Sequence, residues 1–372
     1  MNVRLLHLAD VHLGAPLGNF GGFAARRRED LEAAFRRAID AALAERVHAV
    51  LLAGDLFDTH RPEPRVVDLA RRELARLREA GIPVLAVPGT HDSLLQPDCV
   101  YRREDLPIDR LFDTPYFDGP ERVDADGTSV WVYGIAADPR RPGGWRSLTR
   151  GPGAGFHVAL AHAACRDRPD WAIAPEDLPF EAADLAGLGM DYVALGHYHN
   201  PRVFESEAGR VLAAYPGSVE GRDWTETGPR RALLVEWAEA AGTTLRPIPV
   251  HSRVLETGEL DVSGAASETE VGERIRARFP RESLWRIVLV GEPEAPLRAD
   301  SIAADLEAHY GHLQVVDQTT VVASRRVAEL CEERTVRGEF FRRLVSERDR
   351  ATDGRDRRVA DRALKLAMRV LG

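Results

Sequence analysis

At 372 residues, with 44% hydrophobic and 29% charged side chains, the chain exceeds the usual reach of one hydrophobic core and has the composition of an ordinary globular protein. No apolar run approaches the roughly 18 to 20 residues of a membrane span, so no membrane association is expected. The formal net charge of −9 argues mildly against a nucleic-acid partner unless arginine is locally concentrated.

Asp10 follows a short apolar stretch with no small-residue cleavage site, so the beginning does not read as a signal peptide and a cytoplasmic location is expected. Strand-length apolar runs follow at 3–8, 49–53, 83–87, 130–134, 157–161, 192–195, 211–215 and 232–237. Several are Val-rich and nearly continuous, as strands covered on both faces are. Helical spacing separates the early runs: Leu31, Ala34, Phe35, Ala38 and Ala42 within 23–45, then Val67, Ala70, Leu74 and Leu77 within 66–80. This alternation predicts the α/β class.

After Trp237 the pattern loosens through Gly242 and Pro247-Ile248-Pro249, which places a boundary near 245. Residues 246–324 read as a small α/β unit, with helices at 268–279 and 301–310 and strands at 285–290 and 313–316. The charged tail, 325–372, carries two apolar groupings, Phe340, Phe341, Leu344, Val345 and Leu364, Ala367, Met368, Leu371, on helices joined by a polar turn at 353–356. That stripe either packs on its own neighbour or docks a partner. Cys99, Cys165 and Cys331 are odd in number and unpaired by motif, which suits a reducing compartment and excludes a disulfide frame. Lys365 is the only lysine; the arginine bias suits phosphate contacts and equally reflects genomic base composition.

Five segments place carboxylates and imidazoles just past apolar runs: Asp10-Val11-His12, Gly54-Asp55-Leu56-Phe57-Asp58, Gly89-Thr90-His91-Asp92, Ala161-His162-Ala163 and Gly196-His197-Tyr198-His199. In extended backbone, positions i and i+2 project to one side, so Asp10 with His12, and His197 with His199, can each reach a single ion. Gly54 and Gly89 stand where the backbone must turn, bringing Asp55 and His91 to the same edge, where α/β sheets build their sites. Singly, each residue has an ordinary reading: Asp58 and Asp92 as helix caps, His162 as a core histidine, His197 and His199 as a polar turn. In this order they read as a two-metal phosphoesterase site, because a carboxylate shared by two divalent ions and completed by imidazoles activates water against a phosphate ester.

The order DxH, GDxxD, GxHD, H, GHxH is similar to that of calcineurin-like metallophosphoesterases over residues 1 to about 237. More narrowly, Leu8-Ala9-Asp10-Val11-His12-Leu13-Gly14, the stretch from Gly54 to Thr59, Tyr215-Pro216-Gly217-Ser218 and Glu220-Gly221-Arg222 resemble the SbcD group of DNA repair nucleases. Arg337-Gly338-Glu339-Phe340 and the closing helix resemble its YhaO-type branch.

The resemblance implies a four-layer α-β-β-α sandwich over 1–245, a small α/β cap domain over 246–324 and a helical tail over 325–372. It implies a double-strand DNA exonuclease with some endonuclease activity, two Mn²⁺ ions (or Mg²⁺ or another divalent metal), an SbcC-like coiled-coil ATPase partner and a homodimer, although no residue marks a dimer interface. One ion would be held by Asp10, His12, Asp55 and His199, the other by Asp55, Thr90, His162 and His197, with Asp55 bridging and a water between the ions acidified for attack on phosphorus. His91 would stabilise the phosphate or protonate the leaving oxygen, Asp92 would orient His91, and Asp58 would support the metal ligands.

One position departs from the pattern. The family usually has asparagine where Thr90 stands, and a hydroxyl is a shorter, weaker donor, so the second ion is expected to bind less tightly. Two other functions remain open: a small-molecule phosphoesterase or cyclic-nucleotide phosphodiesterase, which would leave the residues after about 240 unexplained, and a catalytically weakened DNA/ATPase adaptor. His60 is a candidate substrate contact. Arg26-Arg27-Arg28, Arg102-Arg103 and Arg140-Arg141 with Arg146 are solvated faces by default and phosphate contacts by hypothesis. His7, His48, His157, His251, His309 and His312 match no motif and read as packing or solvent contacts.

Overall fold

The nearly continuous apolar runs become central strands in the computed structural model, which describes residues 2–116, 119–138, 140, 144–167, 173–321 and 325–371. The chain divides into two units, Met1–Ser252 and Arg253–Gly372. The first opens with β1 (Val3–Leu8), α1 (Ala24–Glu45), β2 (Ala49–Ala53), α2 (Pro64–Glu79), β3 (Val84–Val87), α3 (Val100–Arg103) and β4 (Arg110–Leu111). It continues with β5 (Glu121–Ala125), β6 (Thr128–Ile135), β7 (Phe156–His162), α4 (Ala182–Gly187), β8 (Tyr192–Gly196), β9 (Arg202–Glu205), β10 (Val211–Tyr215), β11 (Arg231–Ala238) and β12 (Gly242–Pro249).

These strands form two six-stranded sheets. One has the order β12-β11-β1-β2-β3-β4, with β1 to β4 parallel and β11 and β12 added antiparallel. The other has the order β5-β6-β7-β8-β10-β9, with antiparallel β5 and β9 at its edges. Leu5, Leu51, Leu85 and Val87 of the first sheet meet Val130, Val158, Leu160 and Ala194 of the second in one buried layer. The Phe156 and Trp237 rings stack across it at 5.1 Å.

Leu6, Leu8, Val50 and Leu52 are also buried but lie outside that layer, on the alternate face of the first sheet. The apolar stripes of α1 (Leu31, Ala34, Phe35, Ala38, Ala42) and α2 (Val67, Ala70, Leu74, Leu77) are buried, and α2 packs on β3. Beyond the second sheet, Tyr133, Leu195 and Tyr215 pack with Leu178, Phe180 and Leu185 of α4 and its approach. The layering is therefore α-β-β-α.

Four strands of the first unit, β4, β5, β9 and β12, have no counterpart in the apolar runs. The burial pattern of β5 is mostly exposed and that of β9 buries Phe204 alone, so each is a polar sheet edge. β12 pairs Pro247 with Leu233 and Pro249 with Arg231; as an edge strand it tolerates residues that cannot donate to a ladder. Residues 246–249 thus complete the first sheet, and the division falls after Ser252 rather than at 245.

In the second unit, β13 (Leu255–Asp261), β14 (Leu284–Val290) and β15 (Leu313–Asp317) form a parallel sheet in that order. The helices α5 (Glu268–Arg278) and α6 (Ala299–Tyr310) close its core with Val271, Ile275, Ile302 and Leu306. Three helices rather than two follow: α7 (Arg325–Glu332), α8 (Val336–Arg350) and α9 (Gly354–Leu371). Phe341, Leu364, Ala367 and Met368 are buried against Val321, Val327 and Leu330, so most of the tail's stripe packs on the tail itself. The lone lysine, Lys365, reaches Asp317 Oδ1 at 2.7 Å. Among the described residues no helix is long and apolar enough to cross a membrane.

A buried polar pair ties the two sheets of the first unit. His7 on β1 and Tyr192 on β8 share a hydrogen bond of 2.9 Å between Nδ1 and the hydroxyl. Burial, partly opposed by the Leu195 carbonyl, pushes His7 down to about 3. The unfolded chain therefore takes up a proton near pH 6.5 that the folded state refuses. Stability falls as pH drops through the window from about 6.5 to about 3, by up to ~1.4 kcal/mol per pH unit from this group. Urea unfolding at pH 7 and pH 5 should show a larger loss for the natural protein than for the double variant His7→Leu/Tyr192→Phe. Equal losses would place the acid sensitivity elsewhere.

Candidate metal centre

Register brings the motif residues together. Leu8 pairs with Leu52 and Ala53 with Val87, so the segments after β1, β2 and β3 leave one edge of the first sheet. In the second sheet His162 pairs with Gly196. The two edges join directly: His162 Nδ1 donates to the Ala53 carbonyl at 2.9 Å, and the His197 amide donates to Asp10 Oδ1 at 3.0 Å.

The backbone that presents these residues is not extended. Asp10, His12 and Asp55 have φ near +50° (52°, 52° and 51°), and His197 has φ 110°. β1 ends at Leu8 and β8 at Gly196, so the projection of i and i+2 along a strand does not apply. The DxH residues instead reach the site through left-handed turns. Such conformations cost about 1 to 3 kcal/mol each for residues with side chains and persist where surrounding bonds over-determine them. Here Asp10 N donates to Gly54 O (3.2 Å), His12 N to Asp55 O (2.9 Å) and Leu13 N to Leu56 O (2.9 Å).

Two glycines make room. A Cβ at Gly54, whose φ is +88°, would stand 2.3 Å from His162 Nδ1, and one at Gly89 would stand 2.1 Å from Asp55 Oδ1.

Asp55 is the centre of the cluster. Its Oδ2 lies 3.6 Å from His12 Nε2, 3.4 Å from His162 Nε2 and 3.5 Å from the Thr90 hydroxyl, while Oδ1 accepts from the His91 amide at 2.8 Å. On one side His12 Nε2 faces His199 Nε2 at 3.2 Å; on the other His162 Nε2 faces His197 Nδ1 at 3.3 Å. Two outward nitrogens meet acceptors: His199 Nδ1 lies 2.8 Å from Glu226 Oε1, and His162 Nδ1 meets the Ala53 carbonyl; His12 Nδ1 lies 3.2 Å from Asp58 Oδ1 without hydrogen-bond geometry. Acceptors at Nδ1 of His162 and His199 favour the proton there and turn their Nε2 atoms to the centre, although at His199 the Arg222 guanidinium also lies 2.9 Å from Nδ1. At 3.2 Å, His12 Nε2 and His199 Nε2 either share a proton or flank one cation.

Burial, then Arg222 and the neighbouring imidazoles, hold His12 well below its ordinary value, and burial with His162 holds His197 at about 3. Both are neutral, the ligating form. Burial opposes the charged form of His162 too, but Asp55 and Asp10 outweigh it and raise that pKa. Among the described residues three triads have donor atoms close enough for one ion: Asp10, His12 and His199; Asp10, Asp55 and His162; His12, Asp58 and His91. Hard carboxylates with imidazoles suit a first-row divalent metal.

The fold thus gathers Asp10, His12, Asp55, Asp58, Thr90, His91, His162, His197 and His199. His91 stands at the mouth, its side chain 43% exposed, with Nδ1 donating to the Asp58 carbonyl at 2.9 Å and its ring edge-on to His12 at 4.6 Å. Asp92 does not orient it. Its carboxylate instead accepts from Gly89 N (2.7 Å), Phe57 N (3.1 Å) and the Tyr101 hydroxyl (2.7 Å), anchoring the turn that carries Thr90 and His91. Burial, then Asp55, raises Asp92 to about 6.

His60 Nε2 is 3.8 Å from Asp98, away from the cluster's bonds. Arg27 is fully buried, paired with Asp30 (2.9 Å) and Glu220 (2.8 Å), and so is no surface phosphate contact. Arg26 pairs with Glu29, Arg102 donates to the Leu94 carbonyl and Arg140 pairs with Asp138. Arg141 and the side chain of Arg146 lie outside the described residues.

The spacing of motifs does not single out two residues at the site, Arg222 and Glu226. The Arg222 guanidinium lies 3.1 Å from Asp58 Oδ1 and 2.9 Å from His199 Nδ1. Arg222 falls within the stretch that resembles the nuclease group, which marks the loop without assigning the side chain a task. Glu226 sits four residues further on among other acids, buried like Glu220, and only its bonds to His199 and Ser218 set it apart.

Compared with known proteins, the profile of the calcineurin-like phosphoesterases matches residues 3–201. The uncharacterized metallophosphoesterase YhaO of Bacillus subtilis is 29% identical over 294 residues, covering 75% of this chain and 68% of that protein. The DNA double-strand break repair protein Mre11 of Sulfurisphaera tokodaii is 31% identical over 222 residues, covering 56% of this chain and 52% of that protein. The chain thus spans about half to two thirds of these relatives. A solved dimetal phosphatase from Danio rerio is 15% identical, with a TM-score of 0.40, over 67% of this chain and 96% of that one.

Because a Cβ at position 89 would overlap Asp55, Gly89→Ala should displace the shared carboxylate. Overpacking of this kind costs about 1 to 3 kcal/mol. Calorimetric titration with Mn²⁺ should show at least a tenfold loss of affinity beside a lowered Tm; unchanged affinity would mean that Asp55 does not depend on this contact.

Proposed function

Because the chain belongs to the calcineurin-like phosphoesterase family, whose members are metal-dependent hydrolases with a dinuclear site, we propose that it is a Mn²⁺-dependent nuclease acting on DNA in repair. On this reading it is a double-strand exonuclease with some endonuclease activity, working in the cytoplasm beside a coiled-coil ATPase. The observation that carries the reading is the pair of imidazole couples facing each other at 3.2 and 3.3 Å on either side of Asp55.

Asp10, His12, Asp55 and His199 would hold one cation, and Asp55, Thr90, His162 and His197 the other. Two divalent cations there would supply an activated water and neutralise charge on a phosphate. The chain's own groups do the rest. Asp55 is fixed by the His91 amide and by the space at Gly89. His91, tied through Nδ1 to Asp58, keeps Nε2 for a phosphate oxygen or for the proton of the leaving group. Asp58 faces His12 Nδ1 and Asp92 fixes the turn that carries His91, so neither need touch the substrate.

DNA as substrate is supported by relatives named as DNA double-strand break repair proteins. A small phosphate ester would leave the second unit without a task. For a partner, α8 and α9 leave Val336, Phe340, Leu366 and Val370 exposed although the tail has its own core, a surface suited to an apolar helical face.

Time-resolved digestion of end-labelled duplex should proceed with Mn²⁺ and stop with EDTA. Hydrolysis of small esters alone would end the nuclease reading. Thr90 stands where an amide carbonyl would reach the second cation more strongly, so Thr90→Asn should tighten the weaker of two Mn²⁺ equivalents by roughly tenfold, with at most a modest gain in rate. A gain of several orders of magnitude would favour the weakened adaptor instead.

A further inference from the structure

His12 and His199 form the closest imidazole couple of the site, and each is backed by a carboxylate. Behind His12 stands Asp58, with Oδ1 3.2 Å from Nδ1. Behind His199 stands Glu226, with Oε1 2.8 Å from Nδ1. The second carboxylate comes from the loop between β10 and β11, on no strand that carries a site motif.

Its construction is directional. Oε2 of Glu226 is taken by the Ser218 hydroxyl at 2.7 Å and by the Arg222 amide at 3.1 Å. Neither donor belongs to the imidazole cluster. With Oε2 engaged, Oε1 is the acceptor facing His199 Nδ1; Arg222, which can only donate, brings Nη2 to 2.9 Å from that nitrogen and Nε to 3.5 Å from Oε1, so it is the carboxylate that favours a proton on Nδ1. The loop is itself locked: Ser218 N donates to His199 O at 3.0 Å, and the buried Arg230 donates to that carbonyl at 2.7 Å. Arg222 also reaches Asp58 at 3.1 Å, so one guanidinium links the carboxylates behind both imidazoles.

We infer that Glu226 is the positioning residue of His199, keeping the proton on Nδ1 and aiming the Nε2 lone pair across at His12. The inference rests on the two-cation reading of this site, and it assigns to Glu226 a place that neither the sequence motifs nor the family profile, which ends at residue 201, covers. A carboxylate 2% exposed could instead serve only to neutralise Arg222 and hold the loop. The two roles differ in what they do to the imidazole. A structural anion leaves the tautomer of His199 indifferent to an isosteric amide, whereas a positioning anion does not, because a glutamine can turn its N–H toward Nδ1 and drive the proton to Nε2.

The test compares the full chain with Glu226→Gln. After EDTA treatment, ¹⁵N-histidine NMR should show His199 protonated at Nδ1 in the natural protein and shifted toward Nε2 in the variant. Mn²⁺ titration followed by electron paramagnetic resonance should show two equivalents in the natural protein and, in the variant, one equivalent weakened about 10- to 100-fold with the other little changed. An unchanged tautomer, unchanged affinities, or equal weakening of both equivalents would overturn the positioning role. If Glu226→Gln does not fold, Ser218→Ala strips one donor from Oε2 while keeping the charge, and should loosen the same equivalent severalfold; no change there would also overturn it. Failure of the natural protein to bind Mn²⁺ at all would instead overturn the two-cation reading itself.

Discussion

The closeness of two sheet edges around one carboxylate decides what the rest of the first unit can be. Asp55 fits only because positions 54 and 89 lack a Cβ, the one facing His162 and the other facing Asp55 itself. Sheet register then fixes which side chains surround it, since the ends of β1, β2 and β3 lie level, as do those of β7 and β8. The left-handed residues follow from the same crowding. A chain leaving a strand toward a facing edge must turn at once, and Asp10, His12, Asp55 and His197 do so at positive φ, stitched by amide bonds between the β1 and β2 turns. Strain of this kind concentrates where geometry is held for chemistry.

Around that centre the protein spends its buried polar groups in layers. Imidazoles face one another around Asp55; Asp58, Glu226 and one carbonyl stand behind them; Arg222 and Ser218 engage those carboxylates in turn. Burial drives His12 and His197 to the neutral form, and the anions Asp55 and Asp10 raise His162 against its own burial. The arrangement keeps donors electron-rich without leaving anions uncompensated, which a low-dielectric interior would penalise strongly.

Much of this could be read before any coordinates, and the reasons are specific. Val-rich runs carry their burial in their composition, so eight strands and the stripes of α1 and α2 were set by residue type alone. The motif order points to nine residues of the cluster because each motif follows a strand, and the strand ends of two facing sheets converge there. What escaped depends on partners distant in sequence. β5, β9 and β12 are polar or proline-bearing edges with no apolar signature. Left-handed turns at Asp10 and His12 cannot be told from a strand continuing, since Asp and His only tolerate that region. The direction of Asp92 toward Phe57 rather than His91, and the pairing of Glu226 with His199, follow from tertiary contacts across 35 and 27 residues of chain.

Arginine usage shows the same dependence. Arg-rich stretches in a chain of net charge −9 suggest phosphate contacts, yet the structure pairs several arginines with carboxylates. Arg27 is wholly buried between Asp30 and Glu220, Arg65 forks onto Glu32 at 2.7 and 3.1 Å, Arg76 joins Glu73 to Asp40, and Arg222 spans Asp58 and Glu226. A guanidinium held by carboxylates has little unbalanced charge left to attract a polyanion, and screening leaves surface pairs weaker still. If a nucleic acid is the substrate, these paired arginines contribute little to its capture. Attraction at a scissile phosphate would then draw on cations held by the cluster and on His91 at its mouth, so that binding and chemistry would share the same Asp55-centred geometry.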